Sequence, residues 1–151
     1  MPRSPRLTGL QLVLTVTIAA IVATVVALAI NSYYQYFLRV RIASGTAKLS
    51  AMRLSMERYF QKNLTYNNPA EPPCGSTGTS LAPLPSDTSF DYSCATLTTT
   101  QFTVVATGTG ALTGFEYSID QNDNRTTLKV PGGRWLGTGA HCWVLRKDGS
   151  C

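Results

Sequence analysis

No residue between Arg6 and Arg39 carries a formal charge, and inside that interval Gly9 to Ile30 reads GLQLVLTVTIAAIVATVVALAI. As a helix, Leu10 to Ile30 spans about 30 Å, the thickness of a bilayer's hydrocarbon core. The segment is either a signal peptide that is removed, an uncut anchor, or one part of a longer element. Arg3 and Arg6 precede it and, by their charge, hold the N-terminus on the cytoplasmic side. Ala27-Leu28-Ala29 offers a small-residue cleavage site. Against removal there, about 17 to 20 apolar residues precede Ala29, whereas a secretory apolar core runs to about 15.

Helical character continues past Ile30. Ile42, Leu49, Met52, Met56, Tyr59 and Phe60 recur at spacings of three, four and seven, which trace one face of a helix. Ala43, Ala47, Ala51 and Leu54 are compatible with that face, and Gly45 weakens the helix slightly. No proline stands between Pro5 and Pro69, so nothing forces a break. The pattern predicts one helix over 10–62, apolar all round at 10–30 and amphipathic at 31–62, roughly 80 Å long at 1.5 Å per residue. Tyr33, Tyr34, Tyr36 and Phe37 follow the apolar half, where an aromatic cluster reads as an interfacial belt.

The net charge of +5 suggests nucleic acid until it is placed along the chain. Arg39, Arg41, Lys48, Arg53, Arg58 and Lys62 face a single acid, Glu57, in the stalk, whereas from residue 63 onward acids outnumber bases by two. Cys74, Cys94, Cys142 and Cys151 all follow the apolar segment, an even set that fits an oxidising compartment. They form no C-x2-C pair and the lone His141 adjoins Cys142, so disulfides are favoured over zinc. Four cysteines allow three connectivities. Local closure favours Cys74–Cys94 and Cys142–Cys151, each supplying about 3 kcal/mol by restricting the unfolded chain.

Asn67-Asn68-Pro69 and Pro72-Pro73 end any helix, and 63–89 reads as a connecting loop. Strand signals lie at Phe90–Cys94, Gln101–Thr107, Gly114–Asp120 and Thr126–Val130. Four short strands with turn-rich gaps predict an α+β fold. Its small antiparallel sheet, within a head spanning 90–151, packs on the helix at Leu49, Met52, Met56, Tyr59 and Phe60.

Few residues suggest chemistry. Asp120, Asn122 and Asn124 alternate like the start of a calcium loop, but Arg125 stands where such a loop needs glycine and no glutamate follows through Leu136; a hairpin turn is the stronger reading. His141 is the only histidine and its neighbour Cys142 is assigned to a disulfide, which argues against nucleophilic catalysis. No phosphate-binding or paired-histidine motif is present, and neither metal nor cofactor is expected. Lys129, Arg134, Arg146 and Lys147, with Trp135 and Trp143, are candidate DNA contacts.

The chain resembles the type IV pilins, in particular minor pilins of the PilE-like group. The matching residues are a short basic leader ending in Gly9, the apolar run from Leu10, the patch Asn31-Ser32-Tyr33-Tyr34-Gln35-Tyr36, MERYFQKNLTY at Met56 to Tyr66, and Cys142-Trp143. The resemblance implies that 1–9 is a leader cut after Gly9 by a prepilin peptidase and that Leu10 is then N-methylated. It implies assembly through Leu10, Leu12, Val13, Leu14 and Thr15 with other pilin subunits and the assembly machinery. It also implies residence in a bacterial inner membrane before assembly and in an extracellular pilus afterwards. Two positions depart from the family: Leu10 replaces the usual Phe and Leu14 the usual Glu, a carboxylate pictured as pairing with a neighbour's N-terminal amine. Thr15 and Gln11 replace that charge only weakly. A helix-kinking proline usual at Asn31 is absent, so a straighter helix is expected there. The alternative reading is a tethered or secreted binding module, a DNA receptor or adhesin, on the same scaffold.

Overall fold

Helix α1 (Gly9–Asn63) is one continuous element in the computed structural model, which describes residues 9–75 and 82–151. Residues 1–8, which fall within the expected leader, and 76–81 of the connecting loop lie outside the described residues. Two units divide the chain, one ending at Phe37 and the other comprising Leu38–Cys151.

In the first unit, α1 passes through Asn31 without interruption and its apolar side chains are exposed on every side. Its threonine hydroxyls are turned onto the helix backbone. Thr15 donates to the carbonyls of Gln11 (3.0 Å) and Leu12 (2.9 Å), Thr17 to Leu14 (2.9 Å) and Thr24 to Ile21 (2.7 Å). A hydroxyl left unpaired in hydrocarbon costs several kcal/mol, and these backbone bonds remove that cost.

In the second unit, α1 buries Leu38, Ile42, Gly45, Thr46, Leu49, Met52, Met56 and Tyr59. That stripe lies on a meander of four antiparallel strands, β1 (Phe90–Leu97), β2 (Phe102–Gly108), β3 (Glu116–Asp120) and β4 (Arg125–Lys129), in the order β1-β2-β3-β4. The registers Tyr92↔Ala106, Ala106↔Tyr117 and Tyr117↔Thr127 set one row of the inner face. Phe90, Phe102, Val104 and Ile119 join it in the core. β1 runs three residues beyond its predicted end, through a bulge between Cys94 and Thr96. β3 starts at Glu116 rather than Gly114, because Gly110–Leu112 forms a 3-10 turn and the Phe115 amide bonds back to Leu112 at 3.0 Å.

One sequence expectation about α1 needs correction. Ala43, Ala47, Ala51 and Leu54 are exposed; they sit across the helix from the buried stripe, and alanine is too small to mark a face by pattern. Phe60, half-buried at the edge of the stripe, packs against the core with its ring 4.6 Å from that of Tyr66. Gly45 also has a packing role: a Cβ there would lie 2.4 Å from the Phe90 ring, so only glycine lets β1 approach this closely. The Tyr92 hydroxyl donates to the Gly45 carbonyl at 3.1 Å. Burial, with Asp87 nearby, pushes the Tyr92 phenol up from its ordinary value.

The connecting loop is tied at several points. The Tyr59 hydroxyl donates to Glu71 O (2.7 Å) and accepts from Asn68 N (3.1 Å). Lys48 Nζ reaches Asp87 Oδ2 (2.9 Å) and Ser86 O (2.8 Å). Cys74 is bonded to Cys94, fastening the loop to β1, and Cys142 to Cys151, closing the tail.

Candidate functional site

Two surfaces collect the residues singled out in the sequence. The first is α1 from Gly9 to Phe37. Leu10 is 82% exposed, and Leu12, Val13 and Leu14 are exposed with it. Thr15 sits among them, with its hydroxyl committed to its own backbone. Farther along, Tyr33, Tyr34 and Tyr36 are exposed. Gly9 through Asn63 contains an apolar stretch long enough to cross a membrane, and none of that stretch is buried. A face this apolar requires lipid or other helices around it.

The second surface is the tail after β4. Trp135 points inward and meets the Phe115 ring edge-on at 4.7 Å. Arg134 and Leu136, on either side of it, are exposed. The Leu136 amide donates to the Lys147 carbonyl at 3.1 Å, so two stretches of the tail run together. Arg134, Arg146 and Lys147 therefore belong to one loop pair. Lys129 does not join them: it ends β4 opposite Glu116, and no hydrogen bond or ion pair among the described residues links it to the tail.

The tail is anchored to the sheet through Thr127. That side chain donates to Cys142 O at 2.6 Å and accepts from Val144 N at 2.9 Å, while the Thr127 backbone pairs with Ala140. The Tyr117 hydroxyl donates to Val144 O at 2.9 Å, and burial pushes that phenol up. The Trp143 indole donates to Ser118 O at 2.9 Å.

Sequence reasoning missed the setting of Trp143. The Arg125 guanidinium lies 4.9 Å from its ring centroid and is gripped by both carboxylate oxygens of Asp123, each at 3.1 Å. Arg53 of α1 approaches the same carboxylate at 4.0 Å and bonds Glu57 at 3.0 Å. The grip is legible afterwards as the i, i+2 pair Asp123/Arg125, but the partner ring is far along the chain.

The Asp120 carboxylate serves the β3–β4 turn. It accepts from the amides of Asn122 (2.8 Å) and Asn124 (2.9 Å) and from the Asn124 side chain (2.7 Å), the arrangement of an Asx turn. No group of three or more His, Cys, Asp or Glu gathers among the described residues. His141 is exposed, and the sulfur of the adjacent Cys142 is in a disulfide.

Residues 31–116 match the model of a family described as type IV minor pilin ComP, DNA uptake sequence receptor. The matched stretch spans the second half of α1 and the sheet as far as the start of β3, and the tail lies beyond it. No curated protein is significantly similar in sequence. Among solved structures, the non-core minor pilin PilV of Neisseria meningitidis superposes with a TM-score of 0.53 at 15% identity. That match covers 70% of this chain and 97% of the other. A likeness at that identity speaks for the fold, one long helix with a four-stranded antiparallel sheet. By the extent of the family match, the chain belongs to the type IV minor pilin family.

Proposed function

We propose that this minor pilin enters a type IV pilus through α1 from Leu10 to Phe37 and carries its head on the outside of the filament. One observation carries the reading: α1 contains an apolar stretch long enough to cross a membrane, and none of that stretch is buried by the rest of the chain. Before assembly the same segment suits residence in the inner membrane. Release by a prepilin peptidase between Gly9 and Leu10 belongs to the same proposal. Leu14 offers no charge for docking, so entry rests on apolar helix packing. The role is structural and binding rather than catalytic.

Mass spectrometry of the mature N-terminus, with immunodetection in sheared pili, tests the reading. N-methyl-Leu10 and presence in the filament fraction are expected. A start at Asn31, after removal of the whole apolar run, would end it.

A second reading, that the head contacts DNA, is favoured by the gathering of Arg134, Arg146 and Lys147 on one loop pair. The matched family's description as a DNA uptake sequence receptor supports it. Replacing all three by alanine is expected to flatten the dependence of duplex binding on salt by about 0.9 in log–log slope per lost phosphate contact. Unchanged binding and slope would remove the tail from the interface.

A further inference from the structure

Leu136 is a large apolar side chain, 65% exposed, in a stretch of tail that buries its neighbour Trp135 to 8% exposure. It is held outward. Its amide is fixed to Lys147 O. The next residue, Gly137, has φ +102°, and a Cβ there would meet Val144 Cγ2 at 2.6 Å. A Cβ at Gly149 would come 3.4 Å from Leu136 Cβ. The Cys142–Cys151 bond closes the loop that holds Lys147. Trp135, buried and edge-on to Phe115 at 4.7 Å, takes the inward position beside it. Exposed apolar area of this kind is unfavourable in water, and here the backbone keeps it exposed.

The surroundings are cationic. Arg134, Arg146 and Lys147 accompany Leu136 against one acid in the loop, Asp148, whose Oδ1 accepts from the amide (3.0 Å) and hydroxyl (2.7 Å) of Ser150 and whose charge faces Arg146, so the balance stays cationic. An apolar point flanked by cations on a rigid base has the chemistry of a minor-groove wedge, in which the side chain enters between base pairs and the cations take the flanking phosphates. An anionic lipid surface also attracts cations, but one leucine gives it little apolar area to hold.

We infer that Leu136 is such a wedge: it inserts between neighbouring base pairs of duplex DNA while Arg134, Arg146 and Lys147 hold the backbone on either side. This rests on the reading of the tail as DNA-facing. The unstacked step then bends away from the protein, and steps that unstack easily, such as TA and CA, are favoured.

The test uses the full chain in a zwitterionic nanodisc and an end-labelled duplex with 2-aminopurine placed beside a TA step. Wild-type protein is expected to raise 2-aminopurine fluorescence and to increase energy transfer between the ends. L136A is expected to keep its salt slope and to lose both signals, whereas L136M retains them. DNA binding without unstacking or bending, or an L136A variant that unstacks as well as wild type, overturns the wedge and leaves the DNA reading standing. Absence of any DNA binding by wild type overturns both. Leu136-dependent binding to phosphatidylglycerol vesicles, with DNA signals unchanged in L136A, assigns the residue to a lipid surface and also overturns the wedge.

Discussion

Thr127 and Val144 are joined by a buried hydrogen bond in which the Val144 amide donates to the threonine hydroxyl at 2.9 Å. The same hydroxyl donates onward to Cys142 O at 2.6 Å, so one side chain on β4 satisfies two backbone groups of the tail. Thr127→Val keeps the shape and removes both bonds, leaving a buried N–H without a partner. The expected cost is about 1–3 kcal/mol, read as a fall in the denaturation midpoint of the detergent-solubilised chain. Thr127→Ser keeps most of the wild-type value, and a Thr127→Val chain as stable as wild type would show that the hydroxyl does not anchor the tail.

Gly45 and Phe90 give a second test, because the opposing effects have similar size. Gly45→Ala gains up to about 1 kcal/mol in helix propensity. Its Cβ falls 2.4 Å from a buried ring, and overpacking of that kind costs about 1–3 kcal/mol. Net destabilisation is expected, and Phe90→Leu in the same chain should reverse part of it. A double-mutant cycle that shows simple additivity would refute the steric account.

Asp87 makes stability depend on pH. Desolvation pushes its carboxyl up, but the hydrogen bond and ion pair with Lys48 and the amides of Ser89 and Thr88 outweigh that and bring it below the usual carboxylate value. A depressed folded-state value means that the stabilisation is fully present above the unfolded carboxyl's range, near about 4, and disappears as pH falls through the lower folded value. Urea midpoints of wild type should therefore drop on acidification below about pH 4. Asp87→Asn should be less stable at neutral pH and show a shallower acid decline. An Asp87→Asn curve parallel to wild type would exclude the pair as the source.

The two disulfides are expected to separate in function. Removing Cys142–Cys151 by double serine substitution should cost about 3 kcal/mol. It should also speed hydrogen exchange at the Leu136 amide, whose acceptor Lys147 lies inside the closed loop. Removing Cys74–Cys94 has a similar stability cost but should leave the Leu136 amide protected, since that bond fastens the connecting loop to β1. Exchange followed by mass spectrometry distinguishes the two, and equal deprotection would mean that the tail has no independent brace.

Much of the fold was legible because its main signals are local. Uninterrupted apolarity and the lack of proline specify α1, and period-two alternation in Phe115, Tyr117 and Ile119 specifies a strand with one buried face. What escaped was decided by contacts distant in sequence. Gly45 looks like a flaw in a helix until Phe90 is placed against it. Arg134 and Lys147 are unrelated by any local pattern; they share a loop pair because the two tail stretches run together, through the Leu136–Lys147 backbone bond and the close approach of Gly137 and Gly149. Leu136 reads as core by its type; it is outside because Trp135, with more surface to bury, takes the inward position. The Arg125–Trp143 stack likewise depends on the tail folding back across β4.

The backbone-bonded threonines of α1 have a consequence for how neighbours are chosen. With Thr15, Thr17 and Thr24 bonded to their own helix, their contribution to a neighbouring helix is a methyl group and a contour. Discrimination between neighbours at these positions is then a matter of fit, spread over many contacts of small individual value. Exchanging Leu, Val or Ile for one another along this stretch should tune occupancy in a filament by degrees, without any one position acting as an on–off determinant.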